Sequence, residues 1–301
     1  MPGPTDRVLK EMHAFMDLHQ DEINSQEDME KLLHEFMIEY NSRDKTPKSF
    51  ETSETADDYF EAACNAETKK EAQKCLKKAL ELDPDHTDAL HMSLDLKYED
   101  KPDTKLVKYK ELLEKEDKRL HEQGVVGEED IGEYWLIFGT RPYMRLYNDY
   151  LQLLCELGKF SLAADVCRDM LRLNSSDNLG ARHTYMHVLA LLERLEEAED
   201  FMETVEHDES MLTMPMAVLY YKIGDMNQAK VFLKRTAAVN RDLMKFLRAI
   251  RNDTLERYLD KMEDYGYKPF SIEELIVEMM DYRYLFLTVP GFYDWAYSVL
   301  K

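Results

Sequence analysis

His183 and His187 lie four residues apart, Arg141 and Arg145 repeat that interval, and Arg182 directly precedes the first histidine. Residues at i and i+4 share one face of a helix. The histidines could therefore offer two imidazoles to a metal ion, and the arginines two guanidinium groups to a carboxylate. The intervening Thr184, Tyr185 and Met186 include no catalytic glutamate, and no third ligand stands nearby, so a metal-dependent enzyme or regulator is the alternative reading rather than the main one.

The main reading follows the arginines. Residues 139–191 hold six basic and five acidic side chains, within a chain of formal net charge −22. A locally basic face in an acidic shell favours a protein or peptide ligand bearing carboxylates. Arg145, Asn148, Asp149, Gln152 and Glu156 form one polar stripe, while Tyr143, Tyr147, Tyr150, Leu151 and Leu154 form an apolar one. The candidate binding set is Arg141, Arg145, Asn148, Gln152, Asp177, Asn178 and Arg182. Arginines at such positions can also tie adjacent helices together, through Asp149 or Asp177.

The elements that must position these residues are helices. Ten glycines and nine prolines are few for 301 residues, and the abundant Leu, Glu, Lys, Ala and Met lose little rotamer freedom in a helix. In EAQKCLKKALELDPD, residues 71–85, Ala72, Leu76, Ala79 and Pro84 have the spacing of the second helix of a tetratricopeptide repeat. The pattern returns around Ala163, Ala198 and Ala229, which are 35 and 31 residues apart, bracketing the 34-residue period.

From Ala72 to Ala163 is 91 residues, so an insertion near 100–132 is expected, with a long exposed helix over 104–122. Residues 1–50 read as an acidic helical arm, with helices over 6–19 and 26–40 and a linker at 42–49. Residues 51–240 read as the repeats, and 241–301 as C-terminal capping helices, one of them opened by Ser271. Thr140 and Pro142 mark the start of the helix that carries Arg145, with Thr140 supplying a capping oxygen. The expected fold is an all-α, tetratricopeptide-like α-solenoid of helical hairpins, whose inner helices line a groove.

EYWLIFGTRPYMR, residues 133–145, Gly158 and NSSDNLGAR, residues 174–182, carry a resemblance to uncharacterised bacterial tetratricopeptide-repeat proteins with a TRPYMR motif. The resemblance spans roughly 55–300 and implies an all-helical repeat protein, without transferring an activity, substrate or cofactor. The chain departs from the family pattern in lacking a proline after Asn174 and in having Glu193 where the next repeat has its turn glycine. Asn148 and Gln152 also replace the lysine and asparagine of the clamp that grips chaperone C-termini.

The remaining signals exclude classes. The acidic balance opposes nucleic-acid and anionic-membrane binding, and no apolar run approaches a membrane span. Cys64, Cys75, Cys155 and Cys167 lack metal-site or disulfide spacing. With no nucleophile or phosphate-loop motif either, the sequence predicts a cytoplasmic, non-enzymatic binding module without a cofactor.

Overall fold

The computed structural model describes residues 8–301 apart from 10, 13, 14, 17, 24, 43–46, 261 and 263–265. The expected segment at 6–19 and the linker at 42–49 fall partly outside the described residues. Among the described residues there are sixteen α-helices and no strand, so the all-α class holds. The chain forms two compact units, Met1–Leu153 and Leu154–Lys301.

The first unit contains α1 (Gln26–Ser42), α2 (Ala56–Cys64), α3 (Lys69–Leu82), α4 (Thr87–Lys97), α5 (Pro102–Glu122) and most of α6 (Arg141–Glu156). Local chemistry sets the helix starts. Thr55 and Asp58 form a reciprocal capping box at α2, and Thr68 accepts from the Glu71 amide at α3. Ser25 likewise accepts from the Asp28 amide where α1 begins. Helices α2 and α3 pack as a hairpin, with Phe60, Ala63, Cys75, Leu76 and Ala79 in one buried cluster. Small residues at the crossing allow that close approach.

The stretch expected to be an exposed insertion helix is α5, and it is not exposed on all sides. It packs against α4 and buries Leu106, Tyr109, Leu112, Leu113, Glu116 and Leu120. These positions recur every three or four residues, which is the spacing of an amphipathic packing face. Most of the acid and base neighbours that suggested a solvated helix occupy the other side, whereas Glu116 is buried and accepts from Thr87 and Arg119.

At the start of α6 the structure also departs from expectation. The Thr140 hydroxyl, expected as a capping acceptor, donates to the carbonyls of Tyr134 and Ile137. It closes a 3₁₀ turn, Phe138–Thr140, that delivers the chain into α6. Pro142 occupies the first helical turn as expected, where a missing N–H leaves no bond unmade.

The second unit holds α7 (Phe160–Leu173), α8 (Ala181–Leu192), α9 (Leu195–Glu203), α10 (Ser210–Ile223), α11 (Met226–Val239), α12 (Leu243–Arg251), α13 (Glu256–Leu259), α14 (Ile272–Asp281), α15 (Arg283–Phe286) and α16 (Phe292–Leu300). The anchoring alanines 163, 198 and 229 are all fully buried. Helices α8 and α9, and α10 and α11, pack as hairpins, and α8 also packs on α10. Helix α16 packs against α12 and buries Phe292 and Ala296.

Candidate binding site

In the first unit the site is built from α4 and α6. Asp88, His91 and Asp95 occupy one face of α4, at intervals of three and four; Arg145 and Asp149 occupy one face of α6. Arg145 donates from Nε to Asp88 Oδ1 at 3.1 Å and from a terminal nitrogen to Oδ2 at 2.7 Å. This is the fork geometry in which a guanidinium binds a carboxylate best. The two side chains are only 12% and 10% exposed. A carboxylate partner for Arg145, the ligand that local charge suggested, is thus present within the chain itself.

One turn further along, His91 Nε2 faces two carboxylates, Asp149 Oδ2 at 3.4 Å and Asp95 Oδ2 at 3.7 Å. Neither is a hydrogen bond, and Nε2 is a buried nitrogen with no partner. Burial lowers the His91 pKa from its ordinary value. Burial likewise raises that of Asp149, with Asp95 adding to the rise and His91 opposing it. The other oxygen of Asp95 accepts from Tyr109 and lies 3.5 Å from Lys105, both on α5.

Arg141 donates to the Trp135 carbonyl at 2.9 Å, and its guanidinium lies over the Trp135 and Phe138 rings. The TRPYMR stretch is therefore a structural clasp: Thr140 closes the turn, Arg141 holds the preceding aromatics, Met144 is fully buried and Arg145 locks α6 to α4. Asn148 is half-buried and Gln152 exposed beyond it.

In the second unit, NSSDNLGAR forms the turn into α8. Asp177, at positive φ, accepts from the Ala181 and Arg182 amides at 2.7 and 3.1 Å, capping the helix whose entry Gly180 makes in the left-handed region. Arg182 bridges Asp177 and Glu209 at 2.8 and 3.1 Å. His183 reaches the same Glu209 oxygen at 2.8 Å. The His183 bond, with Arg182 next, holds the Glu209 carboxyl down to about 2. Asn178 is exposed.

His187 corrects the expectation that it stands beside His183 on one accessible helix face, offering a second imidazole. It is fully buried, stacked 3.8 Å from the Tyr282 ring. Its Nδ1 lies 2.7 Å from the His183 carbonyl, which can only accept, so that nitrogen carries the hydrogen. Nε2 is then the acceptor, 3.1 Å from Glu278 Oε1, and the shared proton belongs to the carboxyl group. Burial lowers His187 to about 3 and raises Glu278 well above the ordinary carboxylate range, which is the shift a neutral pair requires.

A metal at the two histidines is not supported, because their imidazoles are bonded to different carboxylates and one is sealed in the core. Among the described residues no three His, Cys, Asp or Glu side chains are grouped to hold a metal ion. Nor is there an activated thiol: burial pushes Cys155 up to about 12 and Cys167 well above its usual value.

Asp88, His91, Asp95 and Glu209 were absent from the sequence-derived binding set. The 88/91/95 spacing on α4 was readable. Its pairing with residues 57 positions away, seen in the Arg145–Asp88 bond, was not. The chain matches no protein-family model, no curated protein and no solved structure.

Proposed function

We propose that this chain is a non-enzymatic binding module of tetratricopeptide-repeat type, an adaptor or scaffold that recognises a protein or peptide segment in the cytoplasm. The observation that carries this reading is the face shared by α4 and α6 in the first unit. There the Arg145–Asp88 pair ties the two helices to each other, and beyond it Asp95 is half-exposed while Asp149 and Gln152 are exposed. A helical surface whose polar groups keep acceptor atoms exposed suits recognition of an extended segment. The TRPYMR likeness supports the repeat assignment from the sequence side.

The experiment is affinity co-purification from native cells with quantitative mass spectrometry, comparing wild type with a Gln152→Ala, Asn148→Ala double variant that melts like wild type. A partner enriched by wild type and lost from the variant is expected. A partner set unchanged by the substitutions would overturn this assignment of the binding face.

A further inference from the structure

The geometry points to the notch formed by His91, Asp95 and Asp149 as a receptor for a basic side chain, a lysine ammonium or arginine guanidinium presented by the bound segment. This inference rests on the binding-module reading and names the chemistry of its ligand.

Three acceptor-bearing groups converge there, and the donors in reach, Asn148 at Asp149 and Tyr109 and Lys105 at the far oxygen of Asp95, leave His91 Nε2 and the Oδ2 atoms that face it without a shared donor. Asp95 Oδ2 and Asp149 Oδ2 lie 3.7 and 3.4 Å from a histidine nitrogen that bonds to neither. The His91 side chain is 9% exposed, so the imidazole is fixed at the floor of the notch. The carboxylates are 39% and 49% exposed and form its rim. A neutral imidazole cannot balance two carboxylates. The nearest cations are already placed: Arg145 is paired with Asp88, and Lys105 faces the other oxygen of Asp95.

What the notch lacks is a compact group that only donates and carries positive charge. An ammonium supplies three N–H donors and no acceptor, and a guanidinium five. Either would meet both rim carboxylates with charge-assisted bonds. A metal ion would need the ligands gathered around one point, an arrangement not found among the described residues. The earlier expectation of an acidic ligand is thus reversed at this face, since its arginine is paired internally and the groups left open are acidic.

A dye-labelled lysine octamer, titrated into the full chain at neutral pH and near-physiological salt and read by fluorescence anisotropy, tests this. Asp149→Asn should weaken binding about tenfold, and Asp95→Asn with it further, as expected for loss of charge-assisted bonds. Asp165→Asn, at a carboxylate 58% exposed elsewhere, controls for the net charge and should change affinity by less than about twofold. Both notch variants are isosteric, and their melting temperatures verify the fold.

Equal effects of Asp149→Asn and Asp165→Asn would overturn the notch, because binding would then follow overall charge. Stoichiometric zinc or manganese binding that depends on Asp149, with octamer binding that does not, would overturn it in favour of a metal. The two readings fail separately. A native partner that depends on Gln152 but not on Asp149 keeps the module and removes the notch, whereas Asp149-dependent octamer binding with no native partner does the reverse.

Discussion

His91 and His187 are both buried, both on helices and both beside carboxyl groups, yet their surroundings resolve the same problem in opposite ways. His187 faces a carboxyl group as deeply buried as itself. Charge is unfavourable for either partner there, so the acid keeps its proton and donates it to the imidazole, giving a closed neutral pair. His91 faces carboxylates that remain partly in water. These stay in contact with solvent, and the Nε2 of the imidazole stays without a bond. The difference teaches that burial of the carboxyl, not of the histidine, decides whether such a cluster closes on itself or stays open to a ligand.

The largest expected effect breaks the frame of the open site. Arg145→Ala should destabilise the protein by about 3–5 kcal/mol in chemical denaturation, because it leaves Asp88 buried and charged. Arg182→Ala should lower stability by only about 1 kcal/mol. That arginine is 31% exposed, and Asp177 keeps its backbone amide bonds without it. Equal losses would mean that the two arginines do the same work. The reading of Arg145 and Arg182 as one ligand-binding set would then be withdrawn for both, since each would be a structural tie.

The closed pair can be tested through pH. Glu278 has a folded pKa raised above 4.5, so its contribution is complete below 4.5 and is lost as pH rises toward the folded value. His187 is lowered from 6.5 to about 3, so its contribution is complete above 6.5 and is lost as pH falls toward 3. Between 4.5 and 6.5 the two oppose each other. Thermal unfolding across pH should therefore show a plateau there, with an alkaline decline of at most about 1.4 kcal/mol per pH unit from Glu278. Glu278→Gln, which can still donate to Nε2, should remove that decline. An unchanged alkaline limb in this variant would show that the pair is not neutral.

Packing offers a smaller perturbation that discriminates between helix registers. Ala163 and Ala198 are completely buried, and Ala→Leu at either should lower stability by about 1–3 kcal/mol through overpacking. These alanines were legible in the sequence because a repeat fixes its small residues by spacing. The helices, most of their starts and the buried stripe of α6 were legible for the same reason, as periodicity and capping are local. The α4–α6 face was not, because Asp88 and Arg145 acquire meaning only when a fold brings them together. His187 was misplaced on an open face because the Tyr282 ring and Glu278 that cover it lie in α14 and the turn after it, far along the chain.

The smallest effect concerns the backbone and extends the contrast between strained and relaxed solutions to two turns of the second unit. Gly158 and Glu193 each end a helix in the left-handed region, at φ 68° and 58°. Each is followed by an amide that returns to a carbonyl five residues back, Lys159 to Leu154 at 2.8 Å and Arg194 to Leu189 at 3.0 Å. Glycine adopts this conformation freely, whereas a residue with a Cβ is disfavoured there by about 1–2 kcal/mol. Glu193→Gly relieves that strain, offset by the greater freedom of glycine in the unfolded chain, about 0.5–1 kcal/mol. The exposed contact of Glu193 with Lys222, 3.3 Å long, contributes little, and Lys222 retains the carbonyls of Ala190 and Leu191. The net expectation is a gain of about 0.5 kcal/mol for Glu193→Gly, against a loss of about 1 kcal/mol for Gly158→Ala. Differential scanning calorimetry of the two variants checks both signs. A Glu193→Gly protein that melts lower than wild type would show that the glutamate makes a contact at this turn that outweighs its strained backbone.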